Sequence, residues 1–181
     1  MRFDPAAHAA RAEHSLVIAF LDLRGFAAQS ARISDAELAE QIDAYYVRIA
    51  DHVTRGDGHV VKFIGDGALV VFHREAADAA VGALLELKGD VDSWLAAIGW
   101  DCRLTIKIHV GEVIVGPFGG KLDVIGREVN AAAMLDSTGV ALSVPAFRAL
   151  GRELRTRFRK HTPPVTYIRL EDPRRFRYRP A

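Results

Sequence analysis

The chain has 181 residues, half of them apolar, which is enough for one domain with a sizeable core and requires no second domain. Its 24 basic and 23 acidic side chains nearly cancel, so bulk charge does not mark a nucleic-acid binder, and a single cysteine, Cys102, excludes an internal disulfide and suits a reducing cytosol. No apolar run approaches the roughly 20 residues of a membrane span, and Met1 to His14 is too charged for a signal peptide, so the sequence predicts a free-standing cytoplasmic domain.

In chain order, Ser15 to Leu21 is rich in strand formers and too short for a helix. Ser34-Asp-Ala-Glu37 has the form of a capping box, and Leu38, Ile42, Tyr45, Ile49 and Val53 recur at helical spacing, which predicts a long helix to about Thr54, stopped by Gly56. A hairpin follows, with strands His59 to Ile64 and Ala68 to Phe72 around an Asp-Gly turn. Glu75 to Lys88 reads as a helix, and Trp94 to Ile98 as a second helical stretch ending at Gly99. Alternation through Arg103 to Val115, broken by Gly111, predicts another hairpin of Leu104 to Val110 and Glu112 to Val115. Val129 to Leu135 is a predicted short helix, Val140 to Val144 a strand, Pro145 to Leu150 a helix opened by proline, and Val165 to Leu170 a last strand. Helices mixed with hairpins predict an α+β sandwich with a largely antiparallel sheet. The division is an extension over residues 1–14, a domain over 15–171 and a basic tail over 172–181, ending Arg174-Arg-Phe-Arg-Tyr-Arg179.

Two aspartates stand out chemically. Asp22 follows a short apolar run at what would be the rim of a sheet, and Asp66 sits in the Ile64-Gly-Asp-Gly67 turn. Alone, each is an ordinary cap or turn residue. Together they form a candidate pair for a divalent ion holding a nucleoside triphosphate. The histidines His8, His14, His52, His59, His73 and His161 show no metal-ligand spacing, and no local Ser-His-Asp or Cys-His arrangement occurs.

Four segments, in order, carry a resemblance: Phe20-Leu-Asp-Leu-Arg-Gly-Phe26, Val61-Lys-Phe-Ile-Gly-Asp-Gly67, His109-Val-Gly-Glu-Val-Ile-Val-Gly116 and Leu122-Asp-Val-Ile-Gly-Arg-Glu-Val-Asn130. They resemble the successive signature blocks of the class III nucleotide cyclases, the adenylate and guanylate cyclase catalytic domain. The resemblance spans roughly Ser15 to Asp136 and implies a ferredoxin-like α+β core.

It also implies roles. Asp22 and Asp66 match the pair that holds two magnesium or manganese ions, and the backbone amides of Arg24, Gly25 and Phe26 would cradle phosphate oxygens, as a glycine turn opening a helix can. Lys62 and Asp123 match the base-reading pair, which in this family reads adenine as lysine and aspartate and guanine as glutamate and cysteine. Lysine donates to the ring N1 acceptor of adenine and aspartate accepts from its 6-amino group, so ATP is the expected substrate. Phe26, Ile64, Val124 and Val129 would wall the base, and Asn130 would position the ribose. His109 corresponds to a position often occupied by histidine and reads as structural. The lysine that reaches the triphosphate has Arg159 or Lys160 as its counterpart here, although the glycine usually following it is absent from Phe158 to Val165. In this family each site is shared between two subunits, so a lone domain is expected to be a homodimer.

One position departs from the pattern. The arginine expected four residues after Asn130 is Met134. A missing preorganised donor of this kind costs roughly 3 to 4 kcal/mol, and Arg24, Arg103, Arg127 and Arg148 are the nearby candidates to replace it. The resemblance thus implies an adenylate cyclase making 3′,5′-cyclic AMP. The alternatives are a cyclase of other base choice, as in the pyrimidine cyclases that make cyclic UMP or CMP in anti-phage signalling, and an inactive nucleotide-binding dimer.

Overall fold

Residues 2–136, 138–161 and 165–171 are described by a computed structural model. The basic tail over 172–181 and the Thr162 to Pro164 part of the predicted triphosphate-contact segment lie outside them.

An eight-stranded sheet forms the frame, in the order β2-β3-β1-β4-β6-β8-β7, with β5 paired to β4 alone. β1 is Ala12–Arg24, β2 His59–Ile64, β3 Gly67–His73, β4 Arg103–Phe118, β5 Lys121–Ile125, β6 Val140–Leu142, β7 Phe158–His161 and β8 Thr166–Arg169. Only β4 and β6 pair in parallel, so the sheet is largely antiparallel, as the mixture of hairpins and helices predicts. The helices are α1 (Phe26–Ser30), α2 (Asp35–Arg55), α3 (Ala77–Ala97), α4 (Arg127–Ala133), α5 (Val144–Ala149) and α6 (Arg152–Arg155). The Ser34 hydroxyl caps α2 by accepting from the Glu37 amide at 3.3 Å, which is the half of the capping box that the sequence pattern foretells.

Two cores lie on opposite faces of the sheet. On one face, Val17, Ala19, Leu21 and Leu23 of β1 pack with Tyr45, Ile49 and Val53 of α2 and Leu84, Leu87, Val91 and Leu95 of α3. On the other, Leu16 and Ile18 pack with Leu69 and Val71 of β3, Val113 and Val115 of β4, Val124 of β5 and Ala132 of α4. The period of two along β1 divides its side chains between these cores, and Asp22 falls on the second face. The α3 helix is tied to β4 by Lys88, whose ammonium donates to Asp92 at 2.8 Å and to the Leu104 carbonyl at 2.7 Å.

Three expectations change. Residues 103–118 form one sixteen-residue strand and not a hairpin broken at Gly111. The turn falls at Gly119 and Gly120, where positive φ values of 58° and 79° reverse the chain into β5, a strand that the sequence pattern did not reveal. Gly111 serves packing instead, since Glu128 of α4 lies directly over it. The two helical stretches expected over 75–88 and 94–98 are a single helix, α3, because Gly89 faces open space and does not interrupt it. The first strand runs longer than expected, over Ala12–Arg24, because β4 pairs with it along its whole length. Phe3 is buried against this N-terminal half, stacked between His8 at 4.7 Å and His59 at 5.5 Å.

Candidate active site

Asp22 and Asp66 converge. The β2–β3 hairpin turn presents Asp66 to the end of β1, where its Oδ2 accepts from the Leu23 amide at 3.3 Å. Tyr46 of α2 holds that turn by donating to the Gly65 carbonyl and by stacking on Phe63 at 3.9 Å. Asp22 projects from the exposed rim of β1, and Thr105 of β4 donates to its backbone carbonyl at 3.1 Å. Burial raises the Asp66 carboxyl above the usual carboxylate range, its own amide and that of Leu23 pull it back, and the Asp22 charge raises it again. Beneath the pair, the Tyr45 phenol is pushed above its usual range by burial and by the charges of Asp66 and Asp22. Its hydroxyl is buried without a partner among the described residues.

Two adjacent carboxylates with no Lys, Arg or His paired to either among the described residues are a hard-oxygen donor set, suited to a divalent ion such as Mg2+ or Mn2+. No group of three or more His, Cys, Asp or Glu side chains surrounds a common point among the described residues. An ion held here therefore takes its remaining ligands from water, backbone carbonyls or a bound phosphate.

Lys62 and Asp123, 61 residues apart, are also brought together. The long β4 carries β5 back across the second face until Asp123 reaches β2. There the Lys62 ammonium donates to its two oxygens at 2.8 and 2.6 Å. Asp123 Oδ1 also accepts from the Val124 amide at 2.8 Å, which fixes the carboxylate's direction. Lys62 is 42% exposed, so the pair contributes little to stability, about 0–1 kcal/mol. Its value is directional: one donor and one acceptor stand side by side at the surface.

The other expected residues divide. Asn130 is exposed on α4, and Val129 and Val124 pack in the second core beneath it. Ile64 is 55% exposed at the end of β2. Phe26 packs on the opposite core near Trp100, so the four expected base walls do not meet within one chain. Gly25 is the N-cap of α1 with φ of 91°, and a Cβ there would lie 2.7 Å from the Asp101 carbonyl, which explains glycine between Arg24 and Phe26. Arg159 and Lys160 lie on β7, four strand spacings from β1, or about 19 Å. Arg159 donates to the Leu170 carbonyl. Arg127 opens α4 at the end away from Met134, and Met134 is 84% exposed.

His109 is buried, with Nε2 2.6 Å from Glu128 Oε2. Sequence reasoning singled out neither Glu128 nor Lys107, whose ammonium donates to the Ala133 carbonyl at 2.9 Å. The signal for Lys107 was alternation: Thr105, Lys107 and His109 share one face of the predicted Leu104 to Val110 strand, and the β1–β4 register makes it the Asp22 face.

Residues 9–162 match the adenylate and guanylate cyclase catalytic domain family. The chain belongs to this family. It is 28% identical over 166 residues to adenylate cyclase 2 of Rhizobium meliloti (strain 1021), covering 86% of this chain and 44% of that protein. Among solved structures, it resembles the guanylyl cyclase Cya2 with a TM-score of 0.73 and 26% identity, covering 88% of this chain and 92% of that one. The adenylyl cyclase CyaB from P. aeruginosa gives a TM-score of 0.78 at 20% identity, covering 91% and 98%, which speaks for the fold. The chain spans 26–44% of the length of the adenylate cyclases it matches. The cyclase fold thus accounts for the α+β sheet, and no helix among the described residues is long and apolar enough to cross a membrane.

Proposed function

We propose that this cyclase domain is an adenylate cyclase, converting ATP to 3′,5′-cyclic AMP and pyrophosphate at two sites shared across a homodimer. The observation that carries the reading is that the fold brings together two pairs, Asp22 with Asp66 and Lys62 with Asp123. In the reaction the ribose 3′-oxygen attacks the α-phosphorus, the bond to the bridging oxygen breaks, the hydroxyl proton passes to solvent and pyrophosphate leaves.

Asp22 and Asp66 would hold two Mg2+ or Mn2+ ions, which when bound acidify the 3′-hydroxyl and neutralise the departing pyrophosphate. Lys62 donates to adenine N1 and Asp123 accepts from the 6-amino group, a pattern that guanine would meet with the wrong donors and acceptors. Asn130 orients the ribose, Ile64, Val124, Val129 and Phe26 wall the base, and the amides of Arg24, Gly25 and Phe26 bind phosphate oxygens. The distance of Arg159 and Lys160 from the carboxylates of their own chain supports a second copy supplying the triphosphate contact. The domain works in the cytoplasm, where ATP is available. An exposed Met134 in place of a cation favours one rival, an inactive nucleotide-binding partner.

Complementation tests the shared site. Asp22→Ala and Lys62→Ala proteins are each expected to be inactive, and mixing them should restore activity by forming one intact site per heterodimer. A dead mixture whose subunits demonstrably exchange contradicts the shared site.

A further inference from the structure

The sheet face that carries Asp22 also carries a cation that no acid neutralises among the described residues. Lys107 stands opposite Phe20, two positions along the ladder from the Asp22–Thr105 pair, so it is a diagonal neighbour of Asp22 on the same face. Such neighbours are within reach of a long side chain. Its ammonium does not turn to Asp22. It donates to the Ala133 carbonyl at 2.9 Å, at the C-terminal end of α4, and the next residue is Met134. A positive charge therefore lies beside the one position of the site whose side chain lacks it.

Lys107 has an ordinary structural role as the C-terminal cap of α4, where a cation meets the free carbonyls. That role uses one N–H of three. Lys107 is half-buried and has no ion pair among the described residues, and a partly desolvated ammonium left with a single neutral acceptor favours an anion at its remaining donors. The other cations are worse placed. Arg127 opens α4 at its far end, Arg148 sits on α5, and Arg24 has other contacts. Arg103 is the second diagonal neighbour of Asp22, but it is exposed and distant in sequence register from α4.

We propose that Lys107 is a substrate-binding residue whose ammonium receives the triphosphate charge for which Met134 offers no partner. The inference rests on the cyclase reading above for its substrate, although its first test requires neither a base nor turnover.

Inorganic tripolyphosphate with Mn2+ is titrated into the full chain by calorimetry, comparing wild type with Lys107→Gln, Lys107→Arg and Arg103→Met. Lys107→Gln keeps a neutral N–H donor for α4 and removes only the charge. It should bind about 10- to 100-fold more weakly, the loss expected for one hydrogen bond to a charged group. Lys107→Arg should stay within a few-fold of wild type, and Arg103→Met should not change. In turnover, Lys107→Gln should lower kcat more than it raises KM, and adding Met134→Arg to it should recover part of the rate, which a purely capping role would not allow. Wild-type affinity in a folded Lys107→Gln protein, loss in Arg103→Met instead, or no binding by the wild type overturns the proposal. Should Lys107→Gln fail to fold, acetylation of the wild type decides: tripolyphosphate should slow modification of Lys107 but not of Lys121, and equal slowing or none overturns it. A chain that binds tripolyphosphate through Lys107 yet cyclises no nucleotide would refute the adenylate cyclase reading while leaving this inference standing.

Discussion

A Cβ placed on Gly111 would lie 2.5 Å from Cγ of Glu128, closer than side-chain atoms can approach. The absence of a side chain on β4 lets the first turn of α4 settle on the sheet and brings Glu128 Oε2 to within 2.6 Å of His109 Nε2. This seat fixes the height of α4, and with it the positions of Asn130 and the Ala133 carbonyl.

Gly111→Ala should therefore lift α4 and destabilise the fold by about 1–3 kcal/mol, the usual range for overpacking. Glu128→Ala should cost about 1–3 kcal/mol by a different route, leaving a buried imidazole with neither ring nitrogen hydrogen-bonded. Chemical denaturation of the two variants measures both losses. If Gly111→Ala unfolds at the wild-type midpoint, α4 does not depend on this contact.

Asp66 predicts an exchange of stability for function. Its carboxyl titrates above the usual range in the folded chain, so between the unfolded and folded values the native state holds more protons than the unfolded one. Stability must then fall as pH rises through that window, and the loss persists at neutral pH. Asp66→Asn removes the repulsion from Asp22 and should melt at a higher temperature than wild type at pH 7 in chelator. Mn2+ should raise the melting temperature of the wild type and leave that of Asp66→Asn nearly unmoved. An Asp66→Asn protein that is no more stable in chelator, or is equally stabilised by Mn2+, removes the carboxylate pair from the account.

Base choice is concentrated in Lys62 and Asp123. The double variant Lys62→Glu with Asp123→Cys replaces the ammonium donor with an acceptor, and should lower kcat/KM for ATP by at least about a hundredfold while making GTP the better of the two purines. Competition between ATP and GTP in one reaction reads the ratio directly. An unchanged preference would place recognition of the base elsewhere.

Much of this was visible in the chain because it is encoded locally. The Ser34 cap, the helical stripe of Leu38 to Val53 and the Asp-Gly hairpin each depend on neighbours a few residues away, and each forms where its pattern lies. One misreading is local, since Gly89 faces open space and leaves α3 unbroken, and the others concern long-range pairing. Gly111 looks like a turn until α4 is packed on it, and β5 is five residues whose only ladder partner among the described residues is the far end of β4. The Lys62–Asp123 contact follows from that arch and from no local signal. Lys107 was passed over for a related reason: alternation groups it with Thr105 and His109, but only the β1–β4 register puts that group beside Asp22, and its partner is a backbone carbonyl on a later helix.

The full chain is incubated with Mn2+ and each of ATP, GTP, CTP and UTP in turn, and products are separated by chromatography and identified by mass. ATP should give 3′,5′-cyclic AMP and an equal amount of pyrophosphate, with the other three cyclised poorly. A cyclic pyrimidine nucleotide as the main product, or no cyclic nucleotide from any triphosphate although metal and nucleotide are shown to bind, contradicts the adenylate cyclase reading.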